Sequence, residues 1–274
     1  MYKERWKIDD LPWNRFDATR LDPELLRLVR AAAMAERGAD RYERYFRNVF
    51  NGDPIFQRAA GYWAEEEIRH GETLGRYAEL ADPEFNFKRA YARFMAGYGI
   101  KTESGTSVRG SRSGELTARC IVEIGASSFY TALGEASEEP LLKVICRNIA
   151  SDEFHHFGMF HSHLKGYLAH EKIGLWRRLK IALGRIRESE DDELAYAYFA
   201  ANGSPNAVYD RLSGTAAYEA RAFPLYKQEH VRRAAAMLFK TCGINLHGFW
   251  HDLASRAAWA LLQRKARKAI KQAL

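Results

Sequence analysis

The sequence predicts an all-α fold, a helical bundle with additional C-terminal helices, and three observations carry that prediction. A capping carboxylate precedes proline where long segments begin, at Asp22-Pro23 and Asp53-Pro54. Helical patterning fills most of the chain, while the alternating β-branched runs that mark strands do not occur. At 274 residues and 47% apolar composition the chain can bury a substantial core, which excludes a disordered protein.

Taken in order, the first helix should run from Pro23 to about residue 50 and the second from Pro54 to about residue 80, with Asn51-Gly52 making a tight reversal between them. Asp82-Pro83 should open a third, shorter helix, and the glycine-rich polar stretch 102–114 reads as a mobile loop. Two long helices follow over 115–137 and 140–171, the second opened by Pro140. The remainder is predicted as helices over 174–201, 205–222, 224–241 and 245–272. The expected organisation is an N-terminal extension (1–20), a bundle (21–172) and C-terminal helices packing on it (173–274).

The beginning MYKERWKIDD is charged and lacks the apolar run of a signal peptide, and no stretch approaches the roughly 18 apolar residues of a membrane span. A cytoplasmic protein with no membrane span is the expectation. Cys120, Cys146 and Cys242 are widely separated and without metal-site spacing, so they read as buried free thiols. The formal charge of +7 can attract acidic partners. Because the basic residues are spread over many helices and interleaved with acids, no specific nucleic-acid binding is expected.

Chemistry is concentrated in two spacings, Glu67-Ile-Arg-His70 and Glu153-Phe-His-His156. Three residues of α-helix advance about 300°, so each glutamate and its histidine share a face and can meet one metal ion. A lone pair of this kind reads as a surface ion pair. Here two pairs lie on two long helices, each preceded by another helix with a glutamate in apolar surroundings: Glu36 within AAAMAERGADRY and Glu123 within CIVEIGASSFYTAL. Glu43 is the alternative to Glu36, but Arg41, Arg44 and Arg47 around it suggest a solvated face.

Four carboxylates can bridge two hard cations while two imidazoles supply terminal nitrogens, the donor set of di-iron carboxylate bundles. The chain is therefore expected to be a ferritin-like four-helix bundle binding two iron ions (Fe2+/Fe3+) on Glu36, Glu67, His70, Glu123, Glu153 and His156, with manganese as an alternative. Glu66 and Asp152, each just before a ligand glutamate, are placed to accept hydrogen bonds from the far nitrogen of the opposite helix's histidine. His155, His161, His163 and His170 are not assigned as ligands. Phe129, Tyr130, Phe154, Phe157, Met159 and Phe160 read as core, with the lining of an apolar channel as the alternative.

Residues 60–80, AGYWAEEEIRHGETLGRYAEL, resemble the helix carrying the first Glu-x-x-His pair of soluble acyl-carrier-protein desaturases. Residues 122–164 are similar to that family's third ligand helix, the following turn and its DE-x-x-H helix. The resemblance covers about residues 20–170. It implies Glu36 and Glu123 as single-glutamate ligands, Glu67 and Glu153 as bridging carboxylates, and His70 and His156 as terminal ligands. It further implies a dioxygen-dependent oxidoreductase that removes hydrogen from an acyl chain on a carrier protein, drawing electrons from a small redox protein.

The sequence departs from the family at Ala126, where plant-type members carry threonine near the oxygen-binding position; Ser127 and Ser128 follow. Hydroxylation or N-oxygenation of another small molecule, and iron handling or oxidative-stress protection without an organic substrate, stand as alternatives. Expected partners are an acidic acyl-carrier protein, a small electron donor and a second copy in a homodimer. The docking residues for the carrier are Arg177, Arg178, Lys180, Arg185, Arg187 and the run RKARKAIKQ, or these are solvated helix faces.

Overall fold

Asp22 accepts hydrogen bonds from the backbone N–H groups of Glu24 and Leu25, Asp53 from Phe56, and Glu139 from Leu141 and Leu142. Each of these caps precedes a proline, and together they start three of the long helices. A computed structural model describes residues 5–99, 102–189, 193–204, 206–245 and 248–273, among which there is no strand. The helices are α1 (Pro23–Arg37), α2 (Ala39–Val49), α3 (Pro54–Ala81), α4 (Phe87–Gly97), α5 (Arg112–Ala136) and α6 (Pro140–Glu171). They continue with α7 (Leu175–Ser189), α8 (Glu193–Asn202), α9 (Arg211–Ala222), α10 (Gln228–Cys242) and α11 (Phe249–Ala273). The all-α prediction holds.

Several boundaries differ from the sequence reading. The expected first helix is broken at Gly38, whose backbone (φ −79°, ψ 3°) leaves the helical region and turns the chain just past Glu36. Pro83 does not open α4; Asn86 does, accepting from Arg89 N–H, while the Asp82 side chain caps a turn at Glu84. At α5 the Ser111 hydroxyl accepts from Gly114 N–H, so the helix starts at Arg112, inside the expected loop. The rest of that loop is tied down: Ser107 donates to Glu115, Val108 N–H to the Tyr45 hydroxyl, and Asn48 to Thr102 O. Asp210 caps α9, placing its start at Arg211 rather than 205. The expected continuity from 174 to 201 depends on residues 190–192, which lie outside the described residues.

α5 and α6 form the most extensive pairing, α1 and α2 pack along α3, and α3 faces α6. Two apolar clusters occupy this arrangement. One gathers Leu28, Met34, Leu74, Tyr77, Leu133 and Ile149; the other gathers Phe46, Phe56, Trp63, Leu116, Ile124 and Phe160. The C-terminal helices extend both, through Tyr198 and Tyr218 for the first and Ala182 and Met237 for the second. Cys120, Cys146 and Cys242 are buried free thiols, as expected. Among the described residues no helix is long and apolar enough to cross a membrane.

Candidate metal centre

Between the two apolar clusters lies a polar interior. Glu36 reaches it from α1, Glu67 and His70 from α3, Glu123 from α5, and Glu153 and His156 from α6. All are buried except Glu36, whose side chain is 11% exposed. The donors form two overlapping groups, Glu36/Glu67/His70/Glu153 and Glu67/Glu123/Glu153/His156, with ligand atoms in each group within 4.8 Å of one another. His70 Nδ1 stands 3.1 Å from Glu153 Oε1 and 3.8 Å from Glu36 Oε2 and Glu67 Oε2. His156 Nδ1 stands 3.2 Å from Glu67 Oε1, 3.6 Å from Glu153 Oε2 and 3.7 Å from Glu123 Oε2. Glu67 and Glu153 belong to both groups, each turning one oxygen toward either histidine.

Whether this donor set suits metal ions is tested by its unsatisfied atoms. Glu67 Oε1, His70 Nδ1, Glu123 Oε2, Glu153 Oε1 and His156 Nδ1 are buried without a hydrogen-bond partner. Leaving so many buried polar atoms unpaired is costly, at about 1–3 kcal/mol each. Two divalent cations shared through Glu67 and Glu153 would satisfy them and offset the charge of four buried carboxylates.

Support from outside the ring follows the crossed pattern read from the sequence. His70 Nε2 lies 3.0 Å from Asp152 Oδ2 on α6, and His156 Nε2 lies 2.9 Å from Glu66 Oε2 on α3. A carboxylate accepts, so each Nε2 carries a proton, and each Nδ1 is the nitrogen left to face a metal once its own proton is displaced. Asp152 also receives the Trp6 indole N–H at 2.8 Å and pairs with Arg5 at 2.7 Å. Arg69 binds Glu66 at 3.2 Å, and Trp6 stacks on His70 with centroids 5.9 Å apart at 5°. Nothing in the sequence marked Arg5 or Trp6 for this role, because their contacts are long-range.

Two more groups touch the glutamates directly. Tyr130 donates its hydroxyl to Glu36 Oε1 at 2.5 Å, and Arg119 Nε donates to Glu123 Oε1 at 2.6 Å. Both sit on the Glu123 face of α5, Arg119 one turn before it and Tyr130 two turns after, so the helical period was a usable signal for them. Burial and then the charge of Glu67 push Glu36 well above the usual carboxylate range. Burial, outweighing Arg119, pushes Glu123 up to about 8. Burial would raise Glu67 and Glu153 as well, but the approach of Glu36 and His156 to the one, and of His156 and His70 to the other, holds them low. Burial would lower the two histidines, yet the surrounding carboxylates, led by Asp152 for His70 and Glu123 for His156, hold both well above the usual imidazole range. Metal binding would displace these protons.

The other candidates lie elsewhere. Glu43 pairs with Arg47 on α2, away from the donors. Arg41 departs from the expected solvated face: it is buried, donates to Tyr98 O at 2.7 Å and stacks over Phe94 and Tyr98. His155 bonds Ser151 O on the surface, His161 stacks on Phe157, and His163 meets Phe56 edge-on. Ala126 is half-buried, and the neighbouring Ser127 hydroxyl donates to Ile124 O at 3.2 Å. Glu135, Glu229 and His230 form a further cluster of donors. There Lys227 N–H donates to His230 Nδ1 at 3.1 Å, so Nε2 keeps its hydrogen and cannot ligate. Phe129, Tyr130, Phe157 and Phe160 are core, Met159 is partly buried against it, and Phe154 is 53% exposed.

Fold and site together define an all-α protein with a cluster of four glutamates and two histidines, all but Glu36 buried, that could hold metal ions. No protein-family model matches the chain, and no curated protein sequence matches it.

Proposed function

We propose that the chain is a ferritin-like, di-iron, dioxygen-dependent oxidoreductase acting on an aliphatic substrate, similar to acyl-carrier-protein desaturases. The observation that carries this reading is the pair of overlapping donor groups sharing Glu67 and Glu153, each backed by a carboxylate on the far histidine nitrogen. Glu36 and His70 would hold one ion, Glu123 and His156 the other, with Glu67 and Glu153 between them. Iron bound there supplies one-electron redox chemistry and a place for dioxygen to react. The protein orients the imidazoles through Asp152 and Glu66, and the aromatic cluster of Phe46, Trp63 and Phe160 keeps water from one end.

Partner binding is part of this reading. Arg264, Arg267, Lys268 and Lys271 of α11 line one open groove of about 510 Å³ together with Ile270, a surface complementary to an acidic carrier protein. Electrons would come from a small redox protein.

A second reading, hydroxylation or N-oxygenation of a small polar molecule, is favoured by a cavity of about 310 Å³ between α5, α6 and α10, whose wall includes none of the six donors. Its lining includes Ser127, Ser128, Thr131, His230 and Arg233, a more polar wall than an acyl chain calls for.

Metal analysis of anaerobically reconstituted protein, with absorption and Mössbauer spectra, tests the centre against Glu123→Ala and His156→Ala. Near two irons per chain in the wild type and loss in both variants is expected; less than about one, or unchanged loading in the variants, overturns the di-iron reading. Product analysis with acyl-carrier-protein and small amine substrates then separates the two chemistries. Iron oxidation with neither substrate consumed would point instead to iron handling.

A further inference from the structure

Arg119 is a permanent cation inside the bundle, and its two carboxylate contacts lie on one side of the centre. Its Nε donates to Glu123 Oε1 at 2.6 Å, and its Nη2 lies 3.8 Å from Glu67 Oε1, the oxygen that faces His156. Trp63 stacks on the guanidinium at 4.2 Å, with Tyr42 and Phe160 each at 5.6 Å. The aromatic enclosure keeps the charge in a poorly screened environment, and arginine does not deprotonate in proteins. On the other side, Glu36 receives a neutral donor, the Tyr130 hydroxyl.

The geometry points to two unequal metal positions: Arg119 makes the Glu123/His156 position the weaker one and leaves Glu123 a single oxygen for the metal. This rests on the dinuclear reading above. The charge is what separates the two positions. The guanidinium repels a divalent ion held by the carboxylates it touches, and it occupies Glu123 Oε1 so that only Oε2, which has no hydrogen-bond partner, faces the interior. At the Glu36/His70 position Tyr130 occupies Glu36 Oε1 in the same way but carries no charge, so the repulsion is absent there and that position fills first. Arg119 is thus a positioning residue, acting on the metal through Glu123.

Anaerobic titration with Co2+, followed by visible absorption and calorimetry, tests this in the wild type, Arg119→Met, Arg119→Lys and Glu36→Gln. Binding of two ions in two steps is expected in the wild type. In Arg119→Met the second step should tighten about tenfold, about 1.4 kcal/mol, with the first unchanged. Arg119→Lys, which keeps the charge, should retain the wild-type separation, and Glu36→Gln should weaken the first step. A second step in Arg119→Met that is unchanged or weaker, or both steps moving together, overturns the inference. Should Arg119→Met fail to fold, Glu36→Gln decides alone, because loss of the weaker step instead of the tighter one also overturns it. A wild-type total below two ions counts against the dinuclear reading itself, so the two failures are distinguishable.

Discussion

Asp152 Oδ2 lies 3.0 Å from His70 Nε2, joining residues 82 positions apart on α6 and α3. This contact fixes which imidazole nitrogen faces the glutamates, and the 2.9 Å contact of Glu66 with His156 repeats it in the opposite direction. Each carboxylate therefore sets the tautomer of a histidine on the facing helix. Asp152→Asn should weaken metal binding at the Glu36/His70 position by about 10–100-fold while sparing the other position. Glu66→Gln should do the reverse. Competition titration against a chelating dye measures both, and equal loss at the two positions in either variant would contradict the crossed arrangement.

Trp6 extends this support to the N-terminal segment. Its indole N–H donates to the same oxygen of Asp152 at 2.8 Å while its ring stacks on His70. Trp6→Phe keeps a ring over the imidazole and deletes the hydrogen bond to a charged acceptor. The expected loss is about 1.5–3 kcal/mol of unfolding free energy, read from the urea midpoint at unchanged m-value. Arg5 is more exposed at 30%, so Arg5→Ala should cost less than Trp6→Phe. The opposite order would show that the indole contributes only through packing.

Removing metal should destabilise the protein. Several buried donors find no hydrogen-bond partner within the protein, and ions that bind only the folded chain add stability by mass action. At free metal 100-fold above Kd, each position contributes about 2.7 kcal/mol. Thermal unfolding with and without a chelator reads this directly. Glu123→Ala and His156→Ala should narrow the gap between the two curves; a gap unchanged by both substitutions would place the stabilising ions elsewhere.

The chain's local chemistry made its helices readable, and its long-range contacts stayed hidden. Asp22-Pro23 and Asp53-Pro54 announced α1 and α3 because a cap and a proline act within one turn. Pro83 misled because a proline marks where a helix can start, and the competing caps at Asp82 and Asn86 decided otherwise. The paired Glu-x-x-His spacings marked four of the six donors, since i and i+3 share a helix face wherever the helix packs, and apolar surroundings marked Glu36 and Glu123. Arg119 and Tyr130 were within reach of the same reasoning applied to α5. Trp6 was not: its place beside Asp152 depends on how the N-terminal segment, which has only short 3-10 turns, packs against α6, and no local period encodes that.

Gly71 sets the spacing between Glu36 and His70. A Cβ at Gly71 would lie 2.6 Å from the Arg37 backbone nitrogen and 2.8 Å from its Cα, so α1 and α3 touch backbone to backbone beside both donors. Alanine is the better helix former by about 1 kcal/mol, and at Gly61 of the same helix, where a Cβ meets nothing within 4 Å, that preference should prevail. Gly61→Ala should therefore stabilise the protein by about 0.5–1 kcal/mol. Gly71→Ala should destabilise it by about 1–3 kcal/mol, because the obstructing atoms are backbone and the helices must part. The same parting draws Glu36 from His70, so the Glu36/His70 position should lose metal affinity while the Glu123/His156 position keeps it. Chemical denaturation and stepwise Co2+ titration of the two alanine variants test this together. If Gly71→Ala proves as benign as Gly61→Ala, the close approach of α1 and α3 does not set the geometry of the centre.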